Sequence, residues 1–277
     1  MILPAPSVHY FGHRKDIVEN YRIYGNAPYR IAVLHGGPGA PGEMAPVARE
    51  LSRVRGVLEP LQTKETLEGQ VQELRGYLEA HADPPVTLIG FSWGAWLGYI
   101  LAARHPALTG KLILVGCPPF EHRYAAQIEA TRMSRLSEEM KRELIRTMKR
   151  LDDISGQSHQ TSLARLGRIF SKTDAFRPLP IPDETIKLQF NIYRAVWRTA
   201  AEMRRSGKLL QMGKQIRCPV VAIHGDYDPH PAEGVREPLD SVIRDFRFIL
   251  LPKCGHAPWR EKDARGLFFR YLEKEIF

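Results

Sequence analysis

Apolar positions in the first half of the chain follow two alternating rhythms. Tyr29-Arg-Ile-Ala-Val-Leu34 is a short apolar run that stops at a glycine cluster, and it reads as a buried strand. Val54 to Glu59 is a weaker strand. Leu67, Val71, Leu74 and Leu78 then recur at spacings of four, three and four, which places them on one helix face. Thr66 is the N-cap this helix predicts, and Pro84-Pro85 ends the unit. Val86-Thr-Leu-Ile-Gly90 is the next strand. It runs through a glycine-flanked turn into a helix from Trp93 to Arg104, closed by His105-Pro106. Leu112-Ile-Leu-Val115 follows as a strand. Such alternation predicts a mostly parallel sheet with helices on both faces.

After Cys117-Pro-Pro the rhythm changes. From about Phe120 to Gly213 only helical periodicity is visible. Met140, Leu144, Ile145, Met148 and Leu151 form one apolar stripe, and Leu163, Leu166, Ile169 and Phe170 form a second. A third helix is expected after Pro182-Asp183, with Ile186, Phe190, Tyr193 and Trp197 inside it. Strands resume at Pro219-Val-Val-Ala-Ile-His224 and at Phe246 to Leu251, and a closing helix spans roughly Glu261 to Glu275. Residues 1–117 and 214–277 are therefore expected to form one α/β domain, split by a helical cap at 118–213.

Composition narrows the class without changing the picture. With 277 residues, 43% of them hydrophobic and 26% charged, the chain suits one large globular domain. No stretch approaches 18 consecutive apolar residues, so no membrane span is expected. Met1 to Tyr10 does not read as a signal peptide, and a cytoplasmic location is the expectation. Three cysteines without a CxxC spacing argue against a disulfide framework or a zinc cluster. The net charge is +9, and residues 118–213 hold 18 Lys and Arg against 11 Asp and Glu. That excess reads as a solvated basic helical surface. The rival reading is an anionic partner, either nucleic acid or an acidic surface.

The candidate chemistry lies at strand ends. Gly90-Phe-Ser-Trp-Gly94 matches G-x-S-x-G, in which a serine sits on a sharp strand-to-helix turn and the flanking glycines avoid collisions with backbone. Ser92 is the candidate nucleophile, and a serine hydroxyl needs a base to take its proton. His256, in Lys253-Cys-Gly-His-Ala-Pro-Trp259 after the last strand, is that base. A carboxylate must orient it. Of the two acids in His224-Gly-Asp-Tyr-Asp-Pro-His-Pro231, Asp228 is assigned that role and Asp226 is expected to brace the turn. The order Ser92, Asp228, His256 is the one expected of the α/β-hydrolase fold. His35-Gly-Gly-Pro-Gly39 exposes backbone N–H groups, so Gly37 and the Trp93 N–H are candidate oxyanion donors. No Lys-Ser/Thr pair follows that loop, which excludes a phosphate-binding P-loop. His35, Phe91, Trp197 and His230 are candidate substrate contacts. Turn-bracing or core roles compete for His35, Trp197 and His230, and Cys254 reads as packing. No metal-binding pattern is present, and no cofactor is implied.

These motifs together resemble the proline iminopeptidase-like branch of the α/β-hydrolases. The resemblance rests on HGGPG at 35–39, GFSWG at 90–94, the acid loop at 224–231 and the Gly-His-Ala-Pro-Trp-Arg-Glu run at 255–261. It implies Ser92, Asp228 and His256 as a triad, with Gly37 and Trp93 as oxyanion donors. Two departures bear on the substrate. The D-Q-R-G-x-G-x-S stretch of those peptidases is replaced by Glu59-Pro-Leu-Gln-Thr-Lys64, and the cap tryptophan Trp197 is followed by Arg198, a poor match for a substrate ammonium group. The leading expectation is therefore a hydrolase of a small ester or amide. An aminopeptidase acting on short peptides is the second reading. A binding protein of the same fold that uses its basic cap is the third.

Overall fold

A computed structural model describes residues 8–9, 20–152, 159–182, 184–186 and 188–276. The N-terminal segment Met1 to Tyr10 lies outside the described residues apart from Val8 and His9. Asp183, expected at a helix start, lies outside them as well.

Eight strands form one sheet. In chain order they are β1 (Val8–His9), β2 (Tyr21–Tyr24), β3 (Ile31–Leu34), β4 (Val57–Pro60), β5 (Val86–Phe91), β6 (Thr109–Val115), β7 (Val220–Gly225) and β8 (Phe246–Leu251). Their spatial order is β1-β2-β4-β3-β5-β6-β7-β8. The pairs β1–β2 and β2–β4 are antiparallel, and every other pair is parallel. Ten α-helices accompany the sheet among the described residues: α1 (Ala45–Leu51), α2 (Leu67–His81), α3 (Trp93–Arg104), α4 (His122–Ser134), α5 (Glu138–Asp152), α6 (His159–Thr173), α7 (Phe190–Arg205), α8 (Lys208–Gln211), α9 (Glu233–Val242) and α10 (Arg265–Ile276).

The central strands read as unbroken apolar runs because both their faces are covered. Ala32, Leu34, Leu88, Leu112, Leu114 and Ala222 enter one core with α2, α3 and α7. Their alternate neighbours Val33, Ile89, Ile113, Val115 and Ile223 enter a second core with α1 and α10. Thr66 caps α2 as expected, its hydroxyl accepting from the Gly69 N–H at 3.0 Å.

Helices α4 to α8 lie between β6 and β7 in the chain, where the helical insertion was expected. Several sequence expectations need correction. The third inserted helix begins at Phe190, so Ile186 precedes it and is 57% exposed. Ile145 and Met148 are exposed rather than part of the α5 stripe. Thr147 takes the buried position between Leu144 and Leu151, satisfying its hydroxyl on the Glu143 carbonyl at 2.8 Å. Val54 lies exposed before β4, and the closing helix starts at Arg265, after a short 3₁₀ turn over Pro258–Arg260. The pattern of apolar residues missed β1, β2, α1, α4, α8 and α9. The last contains Pro238, which breaks the usual reading of a helix interior.

Candidate active site

Ser92 stands where β5 turns into α3. Its backbone (φ 50°, ψ −114°) lies in a region that L-residues occupy only when the surroundings hold them there. Here the Ser92 N–H donates to the Val115 carbonyl at 2.9 Å, and the Ser92 carbonyl accepts from the Ala95 N–H at 3.0 Å. Crowding requires both flanking glycines. A methyl on Gly90 would lie 2.2 Å from the Gly94 carbonyl oxygen, and one on Gly94 would lie 2.4 Å from that of Leu34.

His256 occupies the loop after β8. Its Nδ1 donates to Asp228 Oδ2 at 2.7 Å. The imidazole is held between two rings, Phe91 at 4.8 Å and His230 at 4.5 Å between centroids. It hangs beside Gly116, where an added methyl would lie 3.1 Å from Nδ1. Gly116 follows Val115, the residue that anchors the Ser92 backbone, so Ser92 and His256 stand at adjoining strand ends. No hydrogen bond joins the Ser92 hydroxyl to His256 among the described residues. Such bonds commonly form only once substrate is bound.

The Asp228 carboxylate is fully buried and saturated with donors. Oδ1 accepts from the His230 backbone N–H at 2.9 Å and from His230 Nδ1 at 2.6 Å. His224 Nε2 lies 3.6 Å from Oδ2 and 2.8 Å from the His230 carbonyl. Burial raises the Asp228 pKa, but the three histidines outweigh it and hold the carboxyl well below its usual range. Burial alone would lower the His256 pKa. The Asp228 charge and hydrogen bond reverse this, with Asp174 adding to them, and hold it above its ordinary value. Asp226, the other acid of the loop, accepts from the Cys254 N–H at 3.1 Å and braces the turn.

The remaining candidates divide. Gly37 has φ +103°, and its N–H hydrogen-bonds to nothing among the described residues. The Trp93 N–H begins α3 and so has no partner within its own helix. His35 needs correction as a substrate contact: it is fully buried, with Nδ1 2.8 Å from the Gly36 carbonyl and Nε2 accepting from the Gln62 N–H at 3.2 Å. Burial lowers its pKa to about 4, so it is a neutral brace for the glycine loop. Trp197 is half-buried and stacks on Trp96 with planes 7° apart and centroids at 5.6 Å, joining α7 to α3. Phe91 is 3% exposed and packs between His256 and Trp259. His230 does reach the site. Cys254 is buried, its thiol pushed up chiefly by burial.

One residue of this region had no role assigned from sequence. The Glu261 carboxylate is 1% exposed and accepts three backbone N–H groups, those of Phe176 (2.7 Å), Arg177 (2.7 Å) and Gly255 (2.9 Å). It thereby staples the His256 loop to the segment that follows α6. The His256 N–H adds a bond of 2.7 Å to the Asp174 carbonyl, and Arg132 of α4 clamps the Asp174 side chain at 2.9 and 2.5 Å. On the other flank, the Gln189 N–H donates to the Gly39 carbonyl and the Ile186 N–H to the Pro41 carbonyl, both at 2.9 Å. The insertion is thus bonded to the loops on both sides of Ser92. A cavity of about 480 Å³ lies elsewhere, along α7, lined by Arg198, Glu202, Met203 and Arg205.

Asp228, His230 and His256 place possible metal-ligand atoms within 4.8 Å of one another, but both Asp228 oxygens already accept N–H groups.

A nucleophile-type turn, a buried carboxylate–imidazole pair and a glycine loop, all gathered along one edge of a mostly parallel sheet, define an α/β-hydrolase. The chain belongs to the alpha/beta hydrolase family, whose model matches residues 31–267. Among solved structures it is similar to VinJ, at 18% identity over 98% of each chain with a TM-score of 0.64. It is also similar to proline iminopeptidase from Mycobacterium smegmatis, at 19% identity over 98% of each chain with a TM-score of 0.60. A third similar structure is the enol-lactonase from Burkholderia xenovorans LB400, at 18% identity over 92% of this chain and 94% of that one, with a TM-score of 0.57. At these identities the likeness is one of fold. No curated protein sequence matches the chain. No helix among the described residues is long and apolar enough to cross a membrane.

Proposed function

We propose that the protein is a serine hydrolase that cleaves a small ester or amide through an acyl-enzyme. The observation that carries this reading is the combination at one sheet edge of the Ser92 turn with the Asp228–His256 pair, beside the strand end that anchors Ser92. Ser92 Oγ attacks the substrate carbonyl carbon while its proton passes to His256 Nε2. The Gly37 and Trp93 N–H groups receive the oxyanion. His256 returns the proton to the departing alcohol or amine. A water then gives its proton to His256 and attacks the acyl ester, which releases the acid and restores Ser92. Asp228 keeps the His256 proton on Nδ1, so that Nε2 is free to accept.

Residues 118–213 serve as a cap over a catalytic domain formed by 1–117 and 214–277. The support is the pair of attachments, at Asp174–His256 and at Gln189–Gly39, on either side of Ser92. An ester or neutral amide fits the site better than a peptide amino terminus. Asp174 and Glu184, the acids next to these attachments, are each held by an arginine, Arg132 and Arg49 respectively.

A fluorophosphonate should label Ser92, and Ser92→Ala should abolish both labelling and turnover of acyl esters. Failure of the wild-type protein to label, together with unchanged hydrolysis in Ser92→Ala, would remove this reading. A preference for aminoacyl-naphthylamides over acyl esters would move it to the aminopeptidase alternative.

A further inference from the structure

A serine hydrolase needs one imidazole on its acid, but Asp228 carries two. His256 and His230 stack with planes 30° apart, and both turn Nδ1 toward the same carboxylate, one on each oxygen. Both Nε2 atoms therefore lie on the sides of the rings away from Asp228. His230 also spends its backbone N–H on Oδ1, so that oxygen is clamped by two donors from one residue. Two donors on Oδ1 oppose rotation of the carboxylate about its Cβ–Cγ bond, and Oδ2 faces His256.

We propose that His230 is a positioning residue for His256: by donating to Oδ1 it fixes the carboxylate and shares its negative charge, and so sets how firmly Asp228 holds the His256 proton. The proposal rests on the reading of Ser92, Asp228 and His256 as a triad. A hydrogen bond onto one oxygen of a carboxylate weakens the other oxygen as an acceptor, because both draw on the same delocalised charge. The charged and titratable groups facing the two rings are Asp228 and His224 from the β7 end, and Asp174 and Arg132 from the insertion. Burial holds His230 down at about 4, so it stays a neutral donor at physiological pH and does not compete as a second cation.

Removing the donor while keeping an aromatic ring, in His230→Phe, leaves Asp228 a stronger partner for His256. His256 then holds its proton to higher pH. His230→Asn places an amide N–H where Nδ1 now donates and titrates nothing, so it should restore the wild-type behaviour. The measurement is a ¹⁵N-histidine NMR titration of the full chain, with His256 assigned by its own substitution among the ten histidines. The His256 midpoint should rise by about one pH unit in His230→Phe, the tenfold change that one charge-assisted bond is worth. It should stay within about 0.3 unit of wild type in His230→Asn. The acid limb of kcat/KM should follow the same pattern with KM unchanged. Where the phenylalanine ring is not accommodated, His230→Ala supplies the same loss of donor. A midpoint in His230→Phe or His230→Ala equal to wild type would overturn the proposal. So would an Asn variant shifted as far as they are. Failure of the triad reading would appear separately, as a wild-type protein that fluorophosphonate does not label, and the titration would still report on His230.

Discussion

Glu261 offers the sharpest test of how the insertion and the His256 loop hold each other. Its buried carboxylate is the common acceptor for the N–H groups of Phe176, Arg177 and Gly255. Glu261→Ala removes all three hydrogen bonds at once, two of them on Oε1 and one on Oε2. A hydrogen bond to a charged group contributes about 1.5 kcal/mol or more, so three together amount to roughly 4–5 kcal/mol. Water entering the vacated space recovers part of this, which leaves about 3 kcal/mol. Glu261→Gln keeps one acceptor oxygen but turns an NH₂ group toward a backbone N–H, and about 2 kcal/mol is expected. For a chain of this size about 3 kcal/mol corresponds to a fall in melting temperature of roughly 6–12 °C. The assay is thermal unfolding followed by circular dichroism, with esterase turnover measured at 25 °C, where the variant remains folded. Turnover should fall by more than tenfold, because Gly255 immediately precedes the imidazole and its anchor is gone. A Glu261→Ala variant that melts within about 2 °C of wild type with unchanged turnover would show that the staple carries neither stability nor geometry, and would refute the reasoning.

Four further outcomes follow. Asp228→Asn should lower kcat/KM by about 10³–10⁴. In the same variant the acid limb should move to lower pH, since the carboxylate is what holds His256 above its ordinary value; steady-state pH profiles read both. Gly90→Ala and Gly255→Ala should each yield little folded protein on expression, because the new methyl would meet the Gly94 and Asp174 carbonyl oxygens at 2.2 and 2.1 Å. Acidification should withdraw the contribution of a neutral buried His35 to stability between about pH 6.5 and 4. His35 is held neutral with a pKa of about 4, so the unfolded chain binds the proton first and stability is lost as pH falls through that window. The slope of melting temperature against pH in this range should flatten in His35→Gln; an unchanged slope would contradict the assignment.

Much of this architecture could be read from the chain alone. The strands Val86–Phe91 and Val220–Gly225 were legible because burial on both faces writes short unbroken apolar runs into consecutive residues, and Trp93–Arg104 because its apolar run opens at the Ser92 turn and stops at His105-Pro106. The Ser92 turn was legible for a related reason: the collisions that demand Gly90 and Gly94 arise within five residues and their immediate neighbours. What the sequence could not settle is how parts of the chain meet across long separations. Glu261 reaches Phe176 over 85 positions, and Trp197 of α7 stacks on Trp96 of α3, about a hundred positions back in the chain. His35 and His230 are both histidines beside glycine- or proline-rich loops, yet one is sealed beneath its loop and the other shares the Asp228 carboxylate. Local pattern fixes which face of an element is buried, because that follows from spacing along the backbone. Which partner fills that face depends on loop paths and on the competition among many buried groups for few acceptors, and only the packed chain decides it.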